Sequence, residues 1–337
     1  MILIHHARPA LARAAILAAA MSVAATGHAG AADLATFRVG EASPANTFLA
    51  IWMAQDASFY EKNGLKVEIV HMVGGSDSGP ALKDGRIQLM HIGLSSVVRA
   101  NLNGLGDLRS IGSLSNTIRN TFFLAPGKTV KDLKGGTVGI SSVGSESDSS
   151  ATLALRRLGL DRKDVTIKEV GTDRLTPLKA GQITGTVLGE PQRTEAFGLK
   201  LTSVVDLYGE KIPWLYSGLT VDNAYMTANR DTLTRFMKAT VEGNWLAVSD
   251  AERAKKVLAR ELKITDPKVL QASYDNFKAE TPPNAEIDIQ GAKNVIDVVV
   301  PANKSHKIGD YIDTGIMDGL KTSGFFDEMK KKYAAAR

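Results

Sequence analysis

The sequence predicts an α/β chain folded into two lobes, and three observations carry that expectation. A unit of strand, small polar loop and helix recurs three times from Phe37, with strands at Phe37–Gly40, Leu65–Val70 and Ile87–Ile92. The same alternation restarts at Thr137–Ile140 and continues through Val165–Val170 and Ile183–Leu188. From Asn229 onwards the chain reads as mainly helical. Two successive α/β blocks and a helical tail exceed what one sheet needs, so two lobes with a cleft between them is the economical arrangement.

Each element has a local reason. After Phe37–Gly40, a loop with Ser43-Pro44 leads to a helix over about Thr47–Glu61. Phe48, Ile51, Trp52, Phe59 and Tyr60 fall there at helical spacing, and Asn63-Gly64 ends it. Val67 and Ile69 alternate along the second strand, and a Gly/Ser loop, Gly74 to Ser78, precedes a short helix that closes at Asp84-Gly85. Gly93-Leu94-Ser95-Ser96 follows the third strand and opens another helix. Ser110–Leu114 and Thr121–Ala125 read as further strands. In the second block, Asp173–Ala180 is a helix stopped by Gly181, and Pro191 suits the first turn of a helix to Phe197. Leu201–Leu207 and Tyr216–Val221 are candidate strands. Helices are expected over 231–248, 250–263, 267–279, 289–299 and 313–320, broken by Pro282-Pro283 and the polar run Asn303–Lys307.

The stretch Thr137–Leu160, TVGISSVGSESDSSATLALRRLGL, shows what such loops offer. A short apolar strand feeds a Gly/Ser loop and then an amphipathic helix carrying Thr152, Leu153, Leu155 and Leu158. A helix that starts there presents unpaired backbone N–H groups at the carboxyl edge of the sheet, where open α/β sheets bind ligands and where anions are favoured. An ordinary βα connection gives the same pattern, so a lone loop does not establish a site.

Composition narrows the function classes. Arg8 and Arg13, the apolar run Ala14–Ala25 and the small residues Gly27–Ala32 read as an export signal over residues 1–32, with cleavage near Ala29–Ala32 and a soluble periplasmic product. The chain has no cysteine, which excludes a lipid-anchored thioether, a disulfide framework and a thiolate metal site. Its formal charge of +5 falls to +3 without Arg8 and Arg13, and the basic residues are scattered rather than striped, so nucleic-acid binding has little support. Lys330-Lys331-Lys332 reads as a solvated helix end.

Against this frame the segment AQDASFYEKNGLKVEIV (Ala54–Val70) resembles a signature of type II periplasmic solute-binding proteins, in the branch serving importers of sulfonates, taurine, nitrate and thiamine precursors. Further pieces agree in order: PALKDGRIQLMHIG (Pro80–Gly93), VKDLKGGTVGISSVGSE (Val130–Glu146), LRRLGLDRKDVTIKEVG (Leu155–Gly171) and RLTPLKAGQITGTVLGEPQ (Arg174–Gln192). One departure is Thr184, where the family often has Asp after the "L..G.(I/V)" run. The resemblance implies lobe one at 33–122 plus 222–337 and lobe two at 123–221. Each lobe would be a mainly parallel sheet flanked by helices, joined by two hinge crossovers. It also implies a ligand held by the loops after the strands: Ser43 and Asn46; Gly75, Ser76 and Asp77; Ser95 and Ser96; Ser142, Ser145 and Glu146; and Glu190. The implied partners are a small organic anion and the permease and ATPase of an ABC importer, with the protein a monomer and without a cofactor.

Residue by residue the alternatives stay open. Ser145, Ser95 and Ser96 suit helix capping as well as ligand contact, and Asp77 favours capping. Arg174 is the first choice for a charge-assisted contact to a carboxylate or sulfonate, with Arg119 and Arg193 as alternatives; pairing with Asp173 or Glu195 would be the structural use. Trp214 could stack on a ligand or pack at the hinge. Trp52 and Trp245 read as core, and His71 and His91 as core or edge positions without metal-ligand spacing.

The leading function is a non-catalytic binding protein that delivers a solute to a permease. The alternative is an enzyme on the same fold, related to thiamine-pyrimidine or menaquinone biosynthesis. No Ser/His/Asp, Cys/His or metal constellation with recognisable spacing supports it, and the cysteine-rich motif of the pyrimidine-forming relatives is absent. A sensor role shares the import reading's signals.

Overall fold

The structure, a computed structural model, describes residues 34–72 and 78–334. The expected export signal and cleavage positions, and the candidate ligand residues Gly75, Ser76 and Asp77, lie outside the described residues.

The chain begins with β1 (Ala35–Glu41), a 3-10 turn (Asn46–Phe48), α1 (Leu49–Asp56), α2 (Phe59–Lys62), β2 (Leu65–His71), α3 (Ser78–Lys83), β3 (Leu89–Ile92), α4 (Leu94–Leu102) and β4 (Leu108–Thr117). It continues with β5 (Thr121–Leu124), β6 (Thr137–Ile140), α5 (Glu146–Arg157), β7 (Thr166–Glu169), α6 (Leu175–Lys179), β8 (Gly185–Leu188), α7 (Gln192–Gly198) and β9 (Ser203–Val205). The remainder is β10 (Pro213–Asp222), α8 (Asn223–Ala228), α9 (Arg230–Ser249), α10 (Ala251–Leu262), α11 (Pro267–Glu280), α12 (Ile289–Val299), α13 (Gly315–Thr322) and α14 (Phe325–Tyr333).

Two five-stranded sheets result, ordered β2-β1-β3-β10-β4 and β7-β6-β8-β5-β9. In the first, β1 pairs in parallel with β2 and β3, while β10 runs antiparallel between β3 and β4. The second repeats the plan: β6 is parallel to β7 and β8, and β5 is antiparallel to β8 and β9. The parallel trio is the half the sequence announces, since each of its strands feeds a small polar loop and a helix. The antiparallel pair is the half that carries the chain from one sheet to the other.

The crossings differ from the sequence reading. The lobe limits that the resemblance implies, at 122/123 and 221/222, fall inside strands. Thr121–Leu124 is paired along β5, and Ser217–Asp222 along β10. Backbone held in a ladder on both sides is a poor place to bend. The connecting segments are Ile118–Asn120 and the stretch from Asp206 to Ile212.

The expected helix over Thr47–Glu61 is also divided. Ser58 adopts φ +54°, the left-handed region, and separates α1 from α2. Its apolar residues still reach the core: Phe48, Ile51, Trp52, Phe59 and Tyr60 are buried. Phe236 of α9 stacks on Phe37 at 4.8 Å and on Tyr60 at 5.1 Å, tying α2 and β1 to the longest helix. Gly243 of α9 lets α1 approach closely, because a Cβ there would stand 2.4 Å from the Ala50 carbonyl oxygen. A second apolar cluster runs without interruption from Ile92, Leu94 and Val98 through Trp214 and Leu215 to Ile140, Ala151 and Leu155. It therefore joins residues of both sheets and their helices. No helix among the described residues is long and apolar enough to cross a membrane.

Candidate functional site

A cavity of about 150 Å³ opens where the loops after β1, β3, β6 and β8 converge, with Tyr216 and Ser217 of β10 completing its wall. Of the candidate residues, Ser43, Ser96, Ser145, Glu146, Arg174 and Glu190 line it.

The loop after β6 supplies most of the hydroxyls. The Oγ atoms of Ser141, Ser145 and Ser147 lie 2.9 Å from one another, and the Ser141 N–H donates to Ser147 Oγ at 2.8 Å. All three line the cavity. Ser145 also caps α5, accepting from the Asp148 N–H at 3.4 Å, so capping and facing the cavity are combined in one residue. Ser142 does not join them; its Oγ is buried without a hydrogen-bond partner among the described residues.

Arg174 enters from the loop before α6. Its Nε donates to the Val187 carbonyl at 3.0 Å and its Nη1 to the Thr172 carbonyl at 3.4 Å. Among the described residues no carboxylate forms an ion pair with it, and burial holds its guanidinium below the ordinary arginine range. A desolvated cation with free N–H groups is a site for an anion. The alternatives are otherwise engaged. Arg193 pairs with Glu190 at 3.3 Å, donates to Thr121 Oγ1 at 2.8 Å and lies over the rings of Phe197 and Tyr208. Arg119 is buried against α11, where Nη2 donates to the Asn276 carbonyl at 3.1 Å. Glu190 in turn accepts from the Thr194 N–H at 3.2 Å, so it serves an N–H in the first turn of α7 as well as forming part of the wall.

Glu146, the first residue of α5, is buried and reaches across to the other sheet's elements. Its Oε1 accepts from the Ser95 N–H at 2.8 Å and its Oε2 from Trp214 Nε1 at 2.7 Å. Burial pushes its carboxyl up to about 7, against the opposing effect of the two donors and of Arg99. The Ser95 N–H belongs to the first turn of α4, whose donors have no intrahelical acceptor, so this carboxylate occupies a helix start that would otherwise be open to an anion. Ser95 itself is fully buried, and its hydroxyl accepts from the Ser149 hydroxyl at 3.1 Å.

Three expectations are thereby corrected. Trp214 does not offer a stacking face; it is buried and its indole N–H is spent on Glu146. Asn46 turns away from the cavity, donating to the Ser273 carbonyl at 2.8 Å and to Asn276 Oδ1 at 2.9 Å of α11. Ser95 holds Glu146 rather than facing the cavity.

His91, Tyr216, Ser217 and Thr172 line the cavity but were missed as site residues. His91 is buried, with Nε2 2.6 Å from Ser217 Oγ and its ring edge-on to Phe48 at 5.1 Å, and burial lowers its pKa to about 3. It is therefore a neutral hydrogen-bonding group. Tyr216 donates to Asn120 Oδ1 at 2.8 Å; burial raises its pKa, Arg174 lowers it and Glu146 raises it. The signal available was position, since His91 is the penultimate residue before Gly93 at a strand end. No cluster of three or more His, Asp or Glu among the described residues could hold a metal ion.

A cavity walled by strand-end loops of two such sheets is the arrangement of the two-lobed binding proteins. The solved periplasmic nitrate-binding protein of Synechocystis PCC 6803 superposes with TM-score 0.66 at 12% identity, over 86% of this chain and 89% of that one. The alkanesulfonate-binding protein of Xanthomonas axonopodis pv. citri, solved with MOPS, gives 0.69 at 19% identity over 83% and 98%. These likenesses establish the fold. The family model described as NMT1/THI5 like matches residues 45–254, and the chain belongs to that family. A Haemophilus influenzae protein provisionally named for thiamine biosynthesis is 29% identical over 192 residues, 55% of this chain and 58% of its own length. The chain thus spans about half the length of the curated relatives it matches.

Proposed function

We propose that this protein is the solute-binding component of an ABC importer, working in the periplasm and taking a small organic anion of the sulfonate, nitrate or carboxylate type. The observation that carries the reading is Arg174, a desolvated guanidinium without a carboxylate partner among the described residues, facing a cavity whose wall includes the hydroxyls of Ser141, Ser145 and Ser147. Glu190 is matched by Arg193, the Glu146 carboxyl is spent on the Ser95 and Trp214 donors, and His91 is neutral, which leaves Arg174 as the group for a bound anion to meet. Neutral donors hold an anion without the entropy cost of long flexible side chains. The sulfonate- and nitrate-binding structures of the same fold favour this chemistry by analogy.

The two sheets with their helices serve as the lobes, bending at 118–120 and 206–212, and a ligand closes them by binding the closed form more tightly. The permease and ATPase are the partners of that cycle.

A thermal-shift panel of taurine, alkylsulfonates, nitrate, benzoate-type acids and dicarboxylates, beside neutral pyrimidines and cationic amines, tests the reading. At ~1,000-fold excess over the dissociation constant, an anion stabilises the fold by about 4 kcal/mol. A shift caused only by neutral or cationic compounds overturns the anion assignment. The enzymatic alternative draws on the Ser217–His91 contact, but a histidine with pKa about 3 is a weak proton acceptor. Recovery of the shifting compound unchanged after long incubation speaks against catalysis.

A further inference from the structure

Helix α5 starts from the second sheet and α4 from the first, and their N-terminal turns meet beside the cavity. The contact is made by one acidic side chain on two donors. Glu146 Oε1 takes the Ser95 N–H at 2.8 Å, and Oε2 takes Trp214 Nε1 at 2.7 Å. Both donors are buried, and neither the backbone N–H nor the indole N–H can act as an acceptor. Ser149 Oγ adds a bond to Ser95 Oγ at 3.1 Å, one helical turn further along α5.

The fit around the carboxyl is close. A Cβ on Gly93 would lie 2.1 Å from Glu146 Cγ and 2.4 Å from its Cδ, although φ −77° at Gly93 is an ordinary value for any residue. Space for Glu146, rather than backbone freedom, therefore explains the glycine. Arg99 of α4 leans on the same loop: a Cβ on Gly144 would stand 2.5 Å from Arg99 Cδ. Its buried Nε has no hydrogen-bond partner among the described residues, and its charge favours the ionised Glu146. The apolar cluster continues through this point from Leu94 and Val98 to Ala151 and Leu155.

We propose that Glu146 is a positioning residue that clasps the two lobes, so that the ligand-free protein already populates the closed arrangement. This rests on the binding-protein reading above, in which lobe closure is the functional motion. A pre-formed contact lowers the differential binding energy a solute must supply to close the cleft. It also leaves the cavity's solute to Arg174 and the hydroxyls, since the start of α4 is already occupied.

The chain has no cysteine, so spin labels can be placed at will. Lys66→Cys on β2 and Lys168→Cys on β7 mark exposed positions on the edge strands of the two sheets. Double electron–electron resonance on the full mature protein without any solute reads the interlobe distance. The parent is expected to give a population at the short distance. Glu146→Ala should shift the distribution to longer distances, and Gly93→Ala should do the same from the opposite lobe by filling the carboxyl's space. Trp214→Phe keeps an aromatic side chain, removes one donor and should shift it partway. Circular dichroism matching the parent confirms that each variant is folded; an unfolded variant is set aside, and the others still decide. Distributions for folded Glu146→Ala and Gly93→Ala that coincide with the parent overturn the clasp. Because no solute is present, a wrong solute class leaves this result untouched, and a shift seen with no solute ever found would retain the clasp and remove the importer reading.

Discussion

Glu146→Gln turns the buried carboxyl into a measurement of its own energetics. In the unfolded chain the group titrates near 4.5, whereas in the fold burial lifts it to about 7. A raised carboxyl pKa means that the fold holds the proton more tightly than the unfolded chain does. The stability is therefore full below about 4.5 and is lost as pH rises through about 7. At about 1.36 kcal/mol per unit, the loss between pH 5 and pH 8 is about 2–3 kcal/mol. Glutamine carries no such titration. It does carry a cost of another kind, since its NH₂ group must face either the Ser95 N–H or Trp214 Nε1, and a buried donor without an acceptor costs about 1–3 kcal/mol at every pH. The expected outcome is that the parent is more stable than Glu146→Gln at pH 5 and that the gap closes or reverses by pH 8. Urea denaturation of both proteins at pH 5, 6, 7 and 8 measures it, with other titrating groups cancelling in the difference. A parent-minus-variant difference that stays constant across that range refutes the reasoning.

Other outcomes follow from single contacts. Arg174→Ala should weaken an anion that shifts the parent's melt by about 10- to 100-fold, from a charge-assisted bond of about 1.5–3 kcal/mol, and titration calorimetry reads it; unchanged affinity means another group carries the contact. Gly243→Ala forces apart backbone of α1 and α9, where the new methyl would sit 2.4 Å from Ala50 O and 2.7 Å from Ala54 N; a loss of about 1–3 kcal/mol in urea denaturation is expected, and no loss would show that the helices separate freely. N-terminal sequencing of exported protein should begin between Gly30 and Asp33, whereas a mature chain that starts at Met1 refutes the export reading.

The parallel strands and the loops after them were legible because period-two apolar runs and Gly/Ser loops are local signals. Thr137–Ile140 is read at its observed limits, and Ser145 as a cap follows from its place before an amphipathic helix. The antiparallel strands were blurred for a physical reason. Strand β10 is buried over most of its length, so Leu215–Val221 shows little alternation, and its start at Pro213 is fixed by pairing with β4 rather than by any local residue. Ser58 in the left-handed region, which splits the first helix, is equally silent, since serine rarely marks such a position.

The site was legible as loops and illegible as directions. Asn46 and Ser43 stand three residues apart after one strand, yet one faces the cavity and the other turns to Asn276, about 230 residues along the chain. Only the packing of α11 against the turn at Asn46 decides between them. Glu146 and Trp214 show the same limit more sharply. An acidic first residue in a helix has a sufficient local explanation in the macrodipole, and a tryptophan near a crossover has one in packing. Their 2.7 Å bond changes both meanings together: the tryptophan ceases to be a ligand platform and the glutamate becomes a contact between elements of the two sheets. What remains free to meet an anion is then the arginine that no carboxylate among the described residues reaches, and the cavity's charge pattern follows from a contact between residues 68 positions apart.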